Sequence, residues 1–200
     1  MKACTGCEKC ILKNKCVLND DVHNVMEKLS KSDGIILSSP VYLQSISGKL
    51  KTFVDRTCVW YHRPELFGKP LLAIATTNGS GLKDTLKYIQ SIGTQWGTYN
   101  SGRIGRNIRT INLPVTNKEC AMFIHNLKRD KKEYKPNLKS IINFNTQKIL
   151  SKKLGGLDEA YWDEQGWYNK PYYFKCKINP FNRILGYLTY TFLRRVMDRK

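Results

Sequence analysis

Two short apolar runs limit what this chain can fold into more than any other feature. Ile35-Ile36-Leu37 and Leu71-Leu72-Ala73-Ile74-Ala75 contain no polar residue, and turn formers precede them: Gly34 before the first, Gly68-Lys69-Pro70 before the second. Runs of that length read as strands buried on both faces, the condition of a parallel sheet covered by helices. Around them the apolar spacing changes to the helical period. Val22, Val25, Met26 and Leu29 follow a cap at Asp20 or Asp21; Leu50, Phe53 and Val54 follow Ser47; Leu82, Leu86 and Ile89 follow the loop Thr76–Gly81. A weaker strand is expected within Arg103–Ile111. Helix, strand, helix, strand, helix in this rhythm predicts an α/β fold with right-handed crossovers on a parallel sheet. Ligands of such sheets sit beyond the C-terminal ends of the strands. The loops Ser38–Ser45 and Thr76–Gly81 are therefore the expected binding region.

After Pro114 the character changes. Residues 116–155 read as lysine-rich helices, and residues 158–176 are aromatic, with Tyr161, Trp162, Trp167, Tyr168, Tyr172, Tyr173 and Phe174. Phe181–Lys200 reads as a basic amphipathic helix, with Arg183, Arg194, Arg195 and Arg199 around Ile184, Leu185, Leu188, Phe192 and Val196. Its apolar face is expected to pack on the protein's own core or on a second subunit, and the aromatic segment is its natural neighbour. Two parts are expected: a core at 1–115 and a helical, aromatic and basic extension at 116–200. No stretch approaches the ~18 uncharged apolar residues of a membrane span. The N-terminus, Met1-Lys2-Ala3-Cys4, carries no apolar run of a secretory signal, so a cytoplasmic location is expected.

Reduced thiols are the rule in that compartment, so clustered cysteines read as metal ligands or redox groups. Seven cysteines is an odd number, which disfavours a fully paired disulfide framework. Four of them follow the spacing Cys4-x2-Cys7-x2-Cys10-x5-Cys16. Four thiolates are the usual ligand set of a [4Fe–4S] cubane, and three of them two residues apart can wrap one cluster if the backbone turns tightly, as Gly6 permits. Structural zinc sites usually pair two knuckles across a longer stretch, whereas here all four cysteines fall in one loop. The spacing favours the cubane, with zinc and free redox thiols as the other readings. Cys58, Cys120 and Cys176 lie outside the motif and read as ordinary thiols; His23, His62 and His125 read as structural or exposed.

The formal net charge is +18. A solvated lysine surface accounts for it, as does attraction to an anionic cofactor or an acidic protein. A nucleic-acid-binding module with a metal-stabilised cysteine loop is the alternative, using the aromatic segment for base stacking. Asp158, Glu159, Asp163 and Glu164 lie among those aromatics and would repel phosphate, so nucleic acid is not the expected partner; docking of the arginine-rich tail on an anionic membrane is the other alternative, set second to packing of its apolar face.

The ordered set Cys4-x2-Cys7-x2-Cys10-x5-Cys16, Asp20-Asp21, Ser32-Asp33-Gly34-Ile35-Ile36-Leu37-Ser38-Ser39-Pro40-Val41-Tyr42 and Ser47–Thr57 closely resembles the iron–sulfur flavoprotein branch of the flavodoxin-like NAD(P)H-dependent FMN reductase superfamily. The likeness covers roughly residues 3–82. It implies a flavodoxin-like three-layer fold, bound FMN, and one-electron traffic between the flavin and a [4Fe–4S] cluster beside it. Family members place the segment matching Pro40-Val41-Tyr42 against the flavin ring, and the loop matching Thr76–Gly79 borders it. An isoalloxazine needs a flat apolar neighbour and backbone donors near its ring heteroatoms. Ser39, Pro40, Val41, Tyr42, Ser45, Thr76, Thr77, Asn78 and Gly79 are the expected flavin contacts, and Cys4, Cys7, Cys10 and Cys16 the expected cluster ligands. Flavin and cluster carry the chemistry, and no side chain is assignable as a proton donor. The implied electron donors are NAD(P)H or a ferredoxin, the latter matched to the basic surface, and the resemblance implies a homo-oligomer.

The chain departs from the family pattern at its start. Relatives have a first strand, a Ser/Thr/Asn-rich phosphate loop, a helix and a second strand before the cysteine loop, whereas here Cys4 comes at once. The expectation is a chain that binds FMN weakly or not at all by itself, because the phosphate cradle is the main anchor for an anionic cofactor.

Overall fold

The computed structural model describes residues 1–198. In chain order its elements are α1 (Lys9–Leu12), α2 (Val22–Lys31), β1 (Ile35–Pro40), α3 (Gly48–Arg56), α4 (Val59–His62), β2 (Pro70–Thr77), α5 (Leu82–Gln95), β3 (Tyr99–Asn107), α6 (Asn117–Lys128), α7 (Leu138–Leu154), α8 (Gly156–Glu164) and α9 (Pro180–Asp198). The three strands form one parallel sheet in the order β1-β2-β3, so the fold is α/β and flavodoxin-like with a helical C-terminal extension. Ser47 caps α3, its hydroxyl accepting the Leu50 N–H. Thr116 and Glu119 make a reciprocal capping box at the start of α6.

One sheet face is aliphatic. Ile35, Leu37, Leu71, Ala73 and Ala75 point into a core closed by Val22 of α2, Phe53 of α3, Trp60 of α4, and Leu86, Ile89 and Ile92 of α5. On the other face α6 lays Phe123 over Leu72 and Ile104. That helix covers β2 and β3, reaches Gly34 at the foot of β1 with Phe123 and Leu127, and leaves Ile36 beyond its cover. Ile36 is therefore 56% exposed, and β1 is buried on one face only, not on both as its apolar run suggests.

Strand β3 begins at Tyr99, four residues before the expected start. Its sequence hides it: Asn100, Ser101 and Arg103 break the apolar run, and the pairing shifts between Leu71 and Ala73, where β3 carries an extra residue.

The aromatic segment is a second core. Trp162, Trp167, Tyr172 and Tyr173 are buried with Phe144 of α7, Ile141, Tyr134 and Tyr99 of β3. Trp162 and Trp167 meet edge to face at 4.9 Å. These rings pack on each other, so they offer no open platform for bases, and the aromatic half of the case for a nucleic-acid partner is removed. The other two tryptophans, Trp60 and Trp96, lie in the aliphatic core, 5.3 Å apart.

Helix α9 packs on α7 along one side, where Gly186 is buried and its carbonyl accepts from Asn145 at 2.9 Å. Its opposite side leaves Phe181, Ile184, Leu188, Phe192 and Val196 exposed and only Leu185 half-buried, so the apolar face expected to be covered is left open in a single copy of the chain. Arg199 and Lys200 lie outside the described residues. No helix among the described residues is long and apolar enough to cross a membrane.

Candidate functional site

The cysteine segment folds back on itself through three residues with positive φ, Gly6 at 65°, Glu8 at 55° and Asn14 at 52°. These turns bring Cys4, Cys7, Cys10 and Cys16 to the wall of one cavity of about 170 Å³. Arg56, from the last turn of α3, also lines it. The guanidinium is buried and ties the segment down at several points. Nη2 donates to Cys16 Sγ at 3.3 Å and to Leu18 O at 3.4 Å. Nη1 donates to Lys2 O and to Asp20 Oδ2, both at 2.9 Å. The pairing that α3 suggests by adjacency, Asp55 with Arg56, does not form: Asp55 pairs with Lys51 one turn earlier, and Arg56 turns to Asp20. The same bonds hold the Asp20 carboxyl well below the usual carboxylate range.

Arg63, just past α4, is a second clamp. Its Nη2 donates to Cys10 O at 2.8 Å, and both Nη atoms donate to Ile11 O. Asp158 of α8, buried, pairs with Arg63 and lies 2.9 Å from Nδ1 of His62. Trp162 Nε1 donates to His62 O at 2.8 Å. The aromatic core thus reaches the cysteine segment through Asp158 and Arg63. His62, which sequence left without a partner, is part of that link.

Two of the sulfurs are shifted in opposite directions. A backbone hydrogen bond from Lys9, and then the Thr5 side chain, hold the Cys7 thiol below its ordinary value. Gly6 N–H donates to Cys4 Sγ at 3.5 Å. A fifth cysteine, Cys58 at the α3–α4 corner, lines the same cavity with Sγ 3.5 Å from that of Cys10. Burial, and then the Cys10 contact, push the Cys58 thiol up to about 12. Sequence reasoning set Cys58 aside because it stands 42 residues beyond Cys16; folding α3 back along β1 returns it to the cavity. Cys120 and Cys176 stay elsewhere, Cys120 against Leu72, Ile104 and Phe123 and Cys176 against the aromatic core. Among the described residues, no three His, Cys, Asp or Glu side chains stand close enough to hold a single metal ion.

The expected flavin residues come together at the C-terminal edge of the sheet. Ser39 is buried; its hydroxyl donates to Pro40 O and accepts the Ser47 N–H at 2.9 Å. Val41 N–H donates to Thr76 O at 2.7 Å. Tyr42 and Ser45 exchange backbone hydrogen bonds around Leu43 and Gln44, both at positive φ, and the Tyr42 ring stands 63% exposed. Thr77 Oγ1 accepts the Gly79 N–H and donates to Ser80 O, and Asn78 and Gly79 are exposed. Gln44 Nε2 donates to Ser80 Oγ at 2.7 Å and so joins the two loops. Gly81, φ 84°, completes the joint: a Cβ there would lie 2.9 Å from Gln44 Cα. None of these nine residues is charged.

The two sites do not touch. The cysteine cavity lies at the C-terminal end of α3 and the Tyr42 loop at its N-terminal end, and nine helical residues span roughly 13 Å.

Residues 3–104 match the family described as NADPH-dependent FMN reductase. An iron–sulfur flavoprotein of Archaeoglobus fulgidus is 37% identical over 95 residues, covering 47% of this chain and 43% of the relative. An iron–sulfur flavoprotein of Clostridioides difficile (strain 630) is 30% identical over 178 residues, covering 82% of this chain and 78% of the relative. The match thus spans less than half of the Archaeoglobus protein. Among solved structures, an NADH:FMN oxidoreductase in its apo form aligns with TM-score 0.43 and 21% identity, over 60% of this chain and 62% of that one.

Proposed function

This chain belongs to the NADPH-dependent FMN reductase family, among its iron–sulfur flavoproteins, and from that premise we propose that it is an FMN-linked oxidoreductase carrying electrons through a [4Fe–4S] cluster on Cys4, Cys7, Cys10 and Cys16. The observation that carries the proposal is the convergence of all four motif cysteines on one cavity fixed by a buried arginine. The donor set fits: soft thiolates suit iron–sulfur chemistry, and hydrogen bonds to the sulfurs, from Gly6 and Arg56, stabilise their anionic form. A zinc ion draws four sulfurs to about 2.3 Å from one centre, whereas a cubane takes one sulfur at each of four separate corners. A cavity of about 170 Å³ between the cysteines suits the larger group.

For the flavin, Ser39, Pro40, Val41, Tyr42, Ser45, Thr76, Thr77, Asn78 and Gly79 suit the ring and not the phosphate. Tyr42 supplies an exposed flat face and the Thr76–Gly79 loop supplies backbone groups, but no cation is among them. A bound flavin would supply the two-electron to one-electron step; these residues orient its ring and shield one face from water. We assign residues 1–115 the redox groups and residues 116–200 the bracing of the cysteine segment through Asp158. NAD(P)H or an acidic ferredoxin is the proposed donor, the second matched to the +18 charge. A homo-oligomer would let the cysteine cavity of one copy approach the Tyr42 loop of another.

The test is anaerobic purification with a visible spectrum and with iron, sulfide, zinc and flavin assays on one sample. The expected result is about four iron and four sulfide per chain, lost in Cys7→Ser, with little flavin as purified and weak flavin uptake on adding excess FMN. Cluster without any flavin uptake would remove the flavin half. A colourless zinc protein would overturn the proposal.

A further inference from the structure

Five cysteines face a cavity whose proposed occupant takes four. The surplus sulfur is not idle in space: Cys58 Sγ is 3.5 Å from Cys10 Sγ, which is contact distance for two sulfurs. Both backbones are anchored. Cys58 closes α3 onto α4, its carbonyl accepting the Tyr61 N–H, beside the buried Thr57 whose hydroxyl accepts from Trp96 at 3.0 Å. Cys10 lies in α1 with its carbonyl held by Arg63, five residues beyond Cys58. One corner of the core therefore fixes both partners, and their meeting does not depend on a free loop.

We propose that Cys10 and Cys58 form a redox-active pair that closes to a disulfide in the chain when its cysteines carry no metal. The oxidant class is a hydroperoxide. The sulfur struck first attacks the peroxide oxygen, the O–O bond breaks, and that sulfur becomes a sulfenic acid as the first water leaves. Its partner then attacks the sulfenic sulfur; the S–S bond forms, the S–O bond breaks, and a second water leaves. The sum is two thiols and one hydrogen peroxide to one disulfide and two waters. The bond staples the cysteine segment to the α3–α4 corner and withdraws Cys10 from the ligand set. It also stops oxidation at a reversible stage, short of sulfinic acid. This last consequence, a gate on metal uptake, rests on the proposed cluster; the disulfide itself does not.

The full-length chain, reduced and verified iron-free, is treated with hydrogen peroxide, alkylated and digested with trypsin without reduction. Cleavage after Lys9 and Lys13 releases Cys10 apart from Cys4, Cys7 and Cys16, and cleavage after Arg56 releases Cys58, so mass spectrometry separates a Cys10–Cys58 link from every other pairing. The expected result is a Cys10–Cys58 linked peptide in several-fold excess over every other pair, two thiols lost per chain, and full reversal by dithiothreitol. In Cys58→Ser the link is absent and Cys10 accumulates sulfenic and then sulfinic acid; Cys120→Ser behaves as the parent. Equal scrambling of Cys10 among Cys4, Cys7 and Cys16, or unchanged thiols, overturns the pair. Reconstitution with iron and sulfide separates the two ideas. Uptake by the reduced chain and refusal by the oxidised chain supports the gate. Equal uptake by both overturns it, and failure of uptake by the reduced chain counts against the cluster while the peptide map still decides the pair.

Discussion

At the C-terminal end of α3, Arg56 is buried, bonds a cysteine sulfur and two carbonyls, and pairs with Asp20; Arg63 and Asp158 add a second clamp a few residues on. At the N-terminal end of the same helix, Tyr42, Leu43 and Gln44 stand in solvent on a turn closed by its own backbone, with Leu43 fully exposed at φ 46°. One end is fixed by charged side chains drawn from distant parts of the chain, the other by local backbone conformation and one uncharged bond, Gln44 to Ser80. Substitutions at the first end should cost stability of the whole fold. Those at the second should move a loop.

The sharpest test of that contrast is Asp158→Ala. It strips Arg63 of its buried partner, and breaking such a pair costs about 3–5 kcal/mol. Urea unfolding should register that loss, and maleimide should label Cys10 faster in the folded chain. A loss below 1 kcal/mol would mean that water replaces the carboxylate and that the clamp is superficial. Gly81→Ala acts at the other end. It forces a Cβ against Gln44 Cα at positive φ, with a cost of about 1–3 kcal/mol, and it should weaken FMN uptake while iron uptake stays at the parent level. Equal loss of both cofactors would erase the distinction between the two ends. Leu43→Gly relieves left-handed strain of about 1–2 kcal/mol while adding freedom to the unfolded chain, so a net gain under about 1 kcal/mol is expected in thermal melts.

The smallest expected effect is a slope against pH. Arg56 depresses the Asp20 pKa in the folded chain, so the carboxylate's contribution is complete above the unfolded value of about 3.9 and is lost as pH falls toward the folded value. Melting temperature in the parent should therefore drop more steeply below about pH 4 than in Asp20→Asn. Parallel curves would mean that the pair contributes nothing by charge.

This contrast also explains what could be read without coordinates. The cysteine motif was legible because its four members fall within 13 residues and their spacing alone carries meaning. The strands β1 and β2 were legible as unbroken apolar runs. The residues that hold the cysteine segment were not, because the Arg56–Asp20 contact spans 36 residues, Cys10–Cys58 spans 48, and Arg63–Asp158 spans 95. No periodicity links such positions. The two loops beyond the C-terminal ends of β1 and β2 were legible from their place after the strands, yet the Gln44–Ser80 bond that joins them, 36 residues apart, was not. Exposure was the hardest feature to read. Ile36 lies in an apolar run and is open, while the tyrosines and tryptophans of the aromatic segment lie among carboxylates and are buried, because α6 and α8, not local composition, decide what is covered.

The placement of the four tryptophans gives the chain two internal lamps. All are 4% exposed or less, so native emission should be blue-shifted and should move to the red in a single step if both cores melt together. The Trp60–Trp96 pair stands at the cysteine end, with Trp60 lining a cavity that also includes Cys10 and Cys16, whereas Trp162 and Trp167 sit behind it in the aromatic core. A coloured group seated between the sulfurs would darken the first pair before the second. Loading and melting can thus be followed on the same unlabelled sample, one as a change in brightness and the other as a change in colour.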